Sequence, residues 1–242
     1  MRIVAIALSA ILVIAIAVPP VLAQTAGEPL SSQQPKPAPP PKPQTKPVIP
    51  RAKPKPGFAA FGLFDYEQMA ASDTFNAIFD KSSLTGFGFG AEGVNLYGGL
   101  FARVTFSRSS DTGSRVAIID NQPVSLNIPL ELTLTTTEAA GGWRFAMDRL
   151  RKYNAYGGAG VLFVSFKETS QFAESGDDDK ETFTGYDFFG GIDATLAKYL
   201  FAGAEVQYRI VPNALGEGGA SQDFGETDLG GFVFRVLFGF RK

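Results

Sequence analysis

The chain has 242 residues, with 27 Gly, 22 Phe, 22 basic and 24 acidic side chains, one Trp, and neither His nor Cys. Without a thiol or an imidazole there is no disulfide framework, zinc finger, His-ligated haem, Cys nucleophile or Ser-His-Asp triad. The formal net charge of −2 averages three unlike segments: 1–23 is apolar, 24–56 holds eleven of the sixteen Pro, and 57–242 holds every Phe and all but one Gly.

Met1 and Arg2 give a short positive start, Ile3 to Val18 is apolar apart from Ser9, and Pro19-Pro20 precedes the small-residue context Val21-Leu22-Ala23. This pattern is that of a secretory signal peptide cleaved after Ala23. A spanning helix needs about 20 apolar residues, and the Pro pair stops the run short of that. No Cys follows to carry a lipid.

Residues 24–56 contain five Lys and one Arg against a single acid, Glu28. Repeated Pro fixes φ and removes backbone donors, so the segment is expected to be a disordered linker rich in polyproline II. Fully extended, it reaches on the order of 100 Å. It reads as a stiff basic spacer that touches an anionic polymer such as the cell wall, or as a leader without a partner.

From residue 57 onward no helical-period segment of useful length is found. Aromatic or aliphatic residues instead alternate with small or charged ones, and period two means strands. Eight are expected, at about 57–66, 85–95, 98–108, 133–146, 154–167, 182–196, 199–210 and 228–240. The connections alternate between short turns and segments of 14 to 24 residues that begin at Glu67, Ser109, Glu168 and Val211. Short turns on one rim and long loops on the other, with an even strand number, predict an all-β fold: an eight-stranded antiparallel up-and-down transmembrane β-barrel with periplasmic short turns and termini. Within the loop at 109–132, residues 115–120 and 124–128 alternate around Asn121-Gln122-Pro123, predicting a hairpin that protrudes past the membrane and could add a partner strand.

Strand facing separates a membrane barrel from a soluble one. In the seventh strand Leu200, Ala202, Ala204, Val206, Tyr208 and Ile210 share one face, against Phe201, Gly203, Glu205, Gln207 and Arg209. The last strand sets Phe232, Phe234, Val236, Phe238 and Phe240 against Val233, Arg235, Leu237 and Gly239. Collected over all strands, the minority face carries Glu92, Glu138, Asp187, Asp193 and Glu205 with Arg103, Arg144, Lys167, Arg209 and Arg235. A balanced set of five and five suits a narrow interior in which every charge is paired, and eight strands leave room for side chains but no general pore. Tyr97, Trp143, Tyr156, Tyr199 and Phe240 near the short turns, and Tyr66, Phe106, Phe166, Tyr186 and Tyr208 near the long loops, are placed as two aromatic girdles. The four long loops sum to about −12, while the short turns and the Arg241-Lys242 tail carry about +5.

The leader, the eight Gly and aromatic strands and the terminal Phe234-x-Val236-x-Phe238-x-Phe240 run resemble the small outer-membrane β-barrel proteins of Gram-negative-type bacteria, the group that holds the OmpA transmembrane domain and the OmpX and OmpW types. The resemblance covers 57–242 and is architectural. It implies outer-membrane lipid as surroundings, and a barrel-insertion machinery that reads the last strand, here Phe234, Val236, Phe238 and Phe240. Arg241 and Lys242 follow that aromatic and depart from the pattern. Nothing resembles the peptidoglycan-binding domain of the larger OmpA-type proteins.

Three motifs invite an enzyme or ligand reading. Gly88 to Gly93 matches G-x-G-x-x-G, but the dinucleotide fingerprint needs a helix to start there and this stretch continues as strand. The acidic run 174–181 lacks EF-hand spacing and reads as a solvated loop. Gly142-Trp143 resembles the lipocalin Gly-x-Trp with the wrong spacing. The expectation is therefore a non-enzymatic, monomeric barrel with a side-chain-filled lumen and a structural or surface-interaction role, without cofactor, catalytic site, metal site or nucleic-acid partner. The alternatives are a barrel that takes a hydrophobic solute at inward positions Gly157, Ala159, Phe163 and Phe189, and, more distantly, a soluble periplasmic lipid-binding barrel.

Overall fold

The computed structural model describes residues 55–119, 122–148, 150, 152–170, 179–216 and 219–242. The leader at 1–23, nearly all of the spacer at 24–56, Asn121 and most of the acidic run at 174–181 lie outside the described residues.

Eight antiparallel strands close in sequence order into a barrel. They are β1 (Gly57–Met69), β2 (Ser83–Val94), β3 (Leu100–Ile119), β4 (Gln122–Ala146), β5 (Tyr153–Ser170), β6 (Asp179–Thr195), β7 (Leu200–Ile210) and β8 (Gly231–Arg241). Closure pairs β1 with β8 through the register Leu63↔Leu237 and Asp65↔Arg235. All eight expected strands form; β3 and β4 run much further than expected because the hairpin at 109–132 continues them.

Two short helices depart from the sequence expectation: α1 (Ser72–Phe79) and α2 (Gly219–Phe224). Eight and six residues are too few to register in a periodicity window of eleven or more. No side chain caps the start of α1 from within its own segment. The Glu226 carboxylate accepts the Asp73 and Thr74 N–H groups instead, at 3.0 and 2.8 Å. Phe75 and Phe79, one turn apart, stack at 5.5 Å. They bury into an apolar cap with Met69, Leu84, Leu132, Leu162 and Leu229 that closes the long-loop end of the barrel.

The short turns need special backbone. Between β2 and β3 the chain reverses with Asn95, Gly98 and Gly99 at positive φ, and at Gly99 a Cβ would lie 3.0 Å from the Trp143 indole nitrogen. The β3–β4 hairpin contains a register shift between Ser114 and Val116, opposite Asn127 at φ 55°. Such a bulge bends a strand and redirects its side chains.

The outer wall is apolar. Phe58, Phe64, Phe87, Phe89, Val104, Phe188, Ile192, Phe234 and Phe238 are all exposed. Between the aromatic rims the outward positions of the eight strands are apolar, Gly, Ser, Thr or Tyr. The first ionised outward side chains are Arg108, Glu131 and Lys167 on the long-loop side. A continuous apolar band of this extent, on strands of eleven residues or more, belongs in a bilayer. A soluble barrel would carry the opposite polarity.

Candidate functional site

From the short-turn rim upward, the lumen holds an ion cluster, an aromatic layer, a second ion cluster and the apolar cap. In the lower cluster Arg144 pairs with Glu92 at 2.5 Å and with Asp193 at 3.1 Å. Arg241 donates to both Asp193 oxygens at 2.9 and 3.0 Å, and Asn154 adds a third donor at 2.8 Å.

The aromatic layer follows from cross-strand register. Phe61 faces Gly90 and Gly239, Phe101 faces Gly142, Tyr156 faces Gly191, Phe189 faces Gly158, and Phe201 faces Gly239. Four of the five rings, those of Phe61, Phe101, Tyr156 and Phe189, lie over a glycine: a Cβ at Gly158 would come 2.6 Å from the Phe189 ring, and one at Gly142 2.7 Å from Phe101. Glycine gives a narrow barrel space to fold an inward ring flat against its wall, and the ring covers the backbone glycine exposes. Phe101 meets Tyr156 edge-on at 6.0 Å and Phe189 at 6.2 Å.

The upper cluster is organised by two guanidinium groups. Arg103 reaches Glu138 at 2.8 Å and Glu205 at 2.5 Å, with its Cζ 3.9 Å from the centre of the Phe189 ring. Arg235 bridges Asp65 at 2.7 Å and Glu138 at 2.9 Å. Above them Arg209 pairs with Glu67 at 3.0 Å and Asp65 at 3.4 Å. Thr105 and Gln207 donate to Glu138 at 3.1 and 3.3 Å. Asp187 is 0% exposed, and neither carboxylate oxygen has a hydrogen-bond partner among the described residues.

Nine of the ten charges collected on the minority face lie in these clusters. Lys167 does not: the inward residues of β5 are Leu162, Val164 and Phe166, so Lys167 turns outward beside Thr133. Three interior charges escape the sequence analysis, namely Asp65, Glu67 and Arg241. Among the described residues the interior therefore holds seven acids and five bases. Every interior cation among the described residues is an arginine, whose rigid planar fork presents five donors and matches carboxylates in bidentate geometry. That residue type was a legible sign that Lys167 belonged elsewhere, but it does not by itself place Arg241, since Arg108 faces outward.

Tyr97, Trp143, Tyr199 and Tyr208 stand outward near the barrel rims. Tyr156 does not join them: it is 6% exposed and lies in the lumen, with Arg144 5.3 Å from its ring centre. Tyr153 occupies the outward rim position instead, with Lys152 5.7 Å from its ring. Phe166 packs against the apolar cap and not on the outer wall. Of the positions expected to leave a solute channel, Gly157, Ala159 and Phe163 sit on the outward parity of β5, and Phe189 fills the lumen. Phe234, Val236, Phe238 and Phe240 form an outward row that ends at Phe240, since Arg241 turns inward to Asp193.

No family model and no curated protein matches the chain. Among solved structures, it is similar to Ail, the attachment invasion locus protein of Yersinia pestis, in complex with the heparin analogue sucrose octasulfate, at 11% identity over 77% of this chain and 97% of that one, with a TM-score of 0.45. It is also similar to Neisserial surface protein A, at 13% identity over 77% and 95% with a TM-score of 0.43. A third is the N-terminal β-barrel domain of Pseudomonas aeruginosa OprF, at 12% identity over 77% and 99% with a TM-score of 0.40. These neighbours are small outer-membrane β-barrels. At such identities no residue-level correspondence carries across.

Proposed function

We propose that the chain is a non-enzymatic outer-membrane barrel with a structural or surface-interaction role, exported by residues 1–23 and carrying residues 24–56 as a basic spacer on its periplasmic side. The observation that carries this reading is the inverted polarity: an apolar outer wall encloses a lumen of charges, all but Asp187 in ion pairs, capped by Phe75, Phe79 and Leu132. Carboxylates and guanidinium groups locked in reciprocal pairs behind such a cap are not free to work on a substrate. Gly57 and Lys242 meet at the short-turn rim, where Phe58 and Lys242 exchange backbone hydrogen bonds of 3.0 and 2.9 Å. Gly57, where the barrel begins, thus sits at the rim that is periplasmic in this reading.

The surface role belongs to the β3–β4 hairpin. Pairing of β2 with β3 stops at Ser109 and pairing of β4 with β5 stops at Leu130, so 110–119 and 122–129 are paired only with each other. Val124, Leu126 and Ile119 are exposed there. Free strand edges with apolar side chains suit partner binding by strand addition. The outward row ending at Phe240 supports recognition by insertion machinery.

Cell fractionation tests the reading. The full chain is expected in the outer-membrane fraction, released only by detergent and migrating differently on SDS gels before and after boiling. Recovery as a soluble periplasmic protein would overturn it.

A further inference from the structure

A cavity of about 370 Å³ lies at the long-loop mouth, separate from the ion clusters. Phe75 and Phe79 of α1, Leu132 of β4, Phe166 of β5, Leu126 of the hairpin and Leu215 form most of its apolar lining. Its size falls within the range of small-molecule sites, about 300–1,000 Å³. Four polar side chains share this lining, Thr74, Arg115, Glu168 and Ser221, and the first two bear on a ligand. Thr74 is 5% exposed, and its Oγ1 has no hydrogen-bond partner among the described residues. A buried hydroxyl normally has one. Arg115, brought to the cavity at the register shift of the hairpin, pairs with Glu168 at 3.4 Å across a half-exposed rim. An exposed pair of that kind is weak.

We propose that this cavity binds a fatty-acid-like amphiphile, its alkyl chain among Phe75, Phe79, Leu132 and Phe166 and its carboxylate at the mouth beside Arg115. A carboxylate accepts two parallel hydrogen bonds from a guanidinium, which the long contact to Glu168 does not provide. The Thr74 hydroxyl, shielded just behind this lining and without a partner among the described residues, becomes a further donor for a ligand oxygen when its side chain turns toward the cavity. Binding of this kind needs neither strand addition nor the spacer, so it stands apart from the surface role.

The test uses the full chain in phospholipid nanodiscs with the fluorescent probe 11-(dansylamino)undecanoate, displaced by decanoate or by uncharged decanol. Emission is expected to rise above that of empty discs and to fall as decanoate is added. Ala220→Trp, which fills the cavity from α2, should weaken the probe at least roughly tenfold while the heat-modifiable gel band is retained. Arg115→Gln should weaken decanoate roughly tenfold and leave decanol unchanged. Thr74→Val, close in shape, should weaken the probe severalfold and decides the matter if the Trp variant does not fold. Emission equal to that of empty discs, or affinities indifferent to both Arg115→Gln and Thr74→Val, would overturn the proposal. Neither outcome touches the placement of the barrel in a membrane.

Discussion

Glu138 and Asp187 are both fully buried carboxylates in the same part of the lumen, yet their surroundings differ sharply. Glu138 is the shared acceptor of Arg103, Arg235, Thr105 and Gln207. Replacing it by alanine strands two guanidinium groups without that acceptor, and removing one side of a buried ion pair costs about 3–5 kcal/mol. Asp187→Asn loses no hydrogen bond seen among the described residues, so it should cost less than about 1 kcal/mol. The two are compared by the urea concentration at which the folded gel band disappears: Glu138→Ala shifts it strongly, and Asp187→Asn barely. Similar shifts in both would mean that burial alone, and not the pairing pattern, governs this interior. The contrast was invisible in the sequence, where both residues alternate identically against apolar neighbours. Face assignment failed at Tyr156 and Lys167 for a related reason. The start of β5 reads Tyr153-Asn154-Ala155-Tyr156-Gly157-Gly158, with small residues on both parities and an aromatic on each, so neither face declares itself. Asp65 was hidden in the same way by Phe61 inside and Phe64 outside on β1.

Strands were legible because a period of two over ten or more residues is a strong signal, and the short turns followed from the gaps between them. The helices were not, since α1 is stable only through what lies far from it in sequence. Its first turn is capped by Glu226, more than 150 residues away, and its Phe pair is held by strands β1, β2, β4 and β5. Glu226→Ala should therefore cost about 0.5–2 kcal/mol, the worth of a lost helix cap, and act locally. Faster hydrogen exchange at the Asp73 and Thr74 amides with strand amides unchanged is the expected result; unchanged exchange at α1 would show that the carboxylate is dispensable. Strand β5 offers a complementary case. Gly158→Val would drive a branched side chain into the Phe189 ring, and overpacking of that kind costs about 1–3 kcal/mol. Thermal unfolding of the folded gel band at lower temperature checks it. Val at Gly157, on the outward parity, has no such ring to meet and serves as the control.

On the scale of the whole molecule, the two ends of the barrel differ in chemistry. Lys152, Lys198 and Lys242 surround the short-turn rim, while the other end carries α1, α2 and the long hairpin. Since the chain has no cysteine, a single introduced thiol reports its side without background. Val124→Cys should react with a membrane-impermeant maleimide on intact cells, and Lys198→Cys only after the envelope is permeabilised. The reverse pattern would turn the barrel over and place the hairpin toward the cell interior.

The rings folded over glycines do more than fill space. Arg103 presses on the upper side of this layer at Phe189, and Arg144 lies 5.1 Å from the Phe101 ring on the lower side. The layer acts as an aromatic septum between an upper and a lower compartment of the lumen, each with its own arginines and carboxylates. Loss of the apolar cap would wet the upper compartment alone, and loss of the septum would join two compartments still closed at the long-loop end. Turning this barrel into a conduit is therefore expected to need two lesions at different heights, one in each seal.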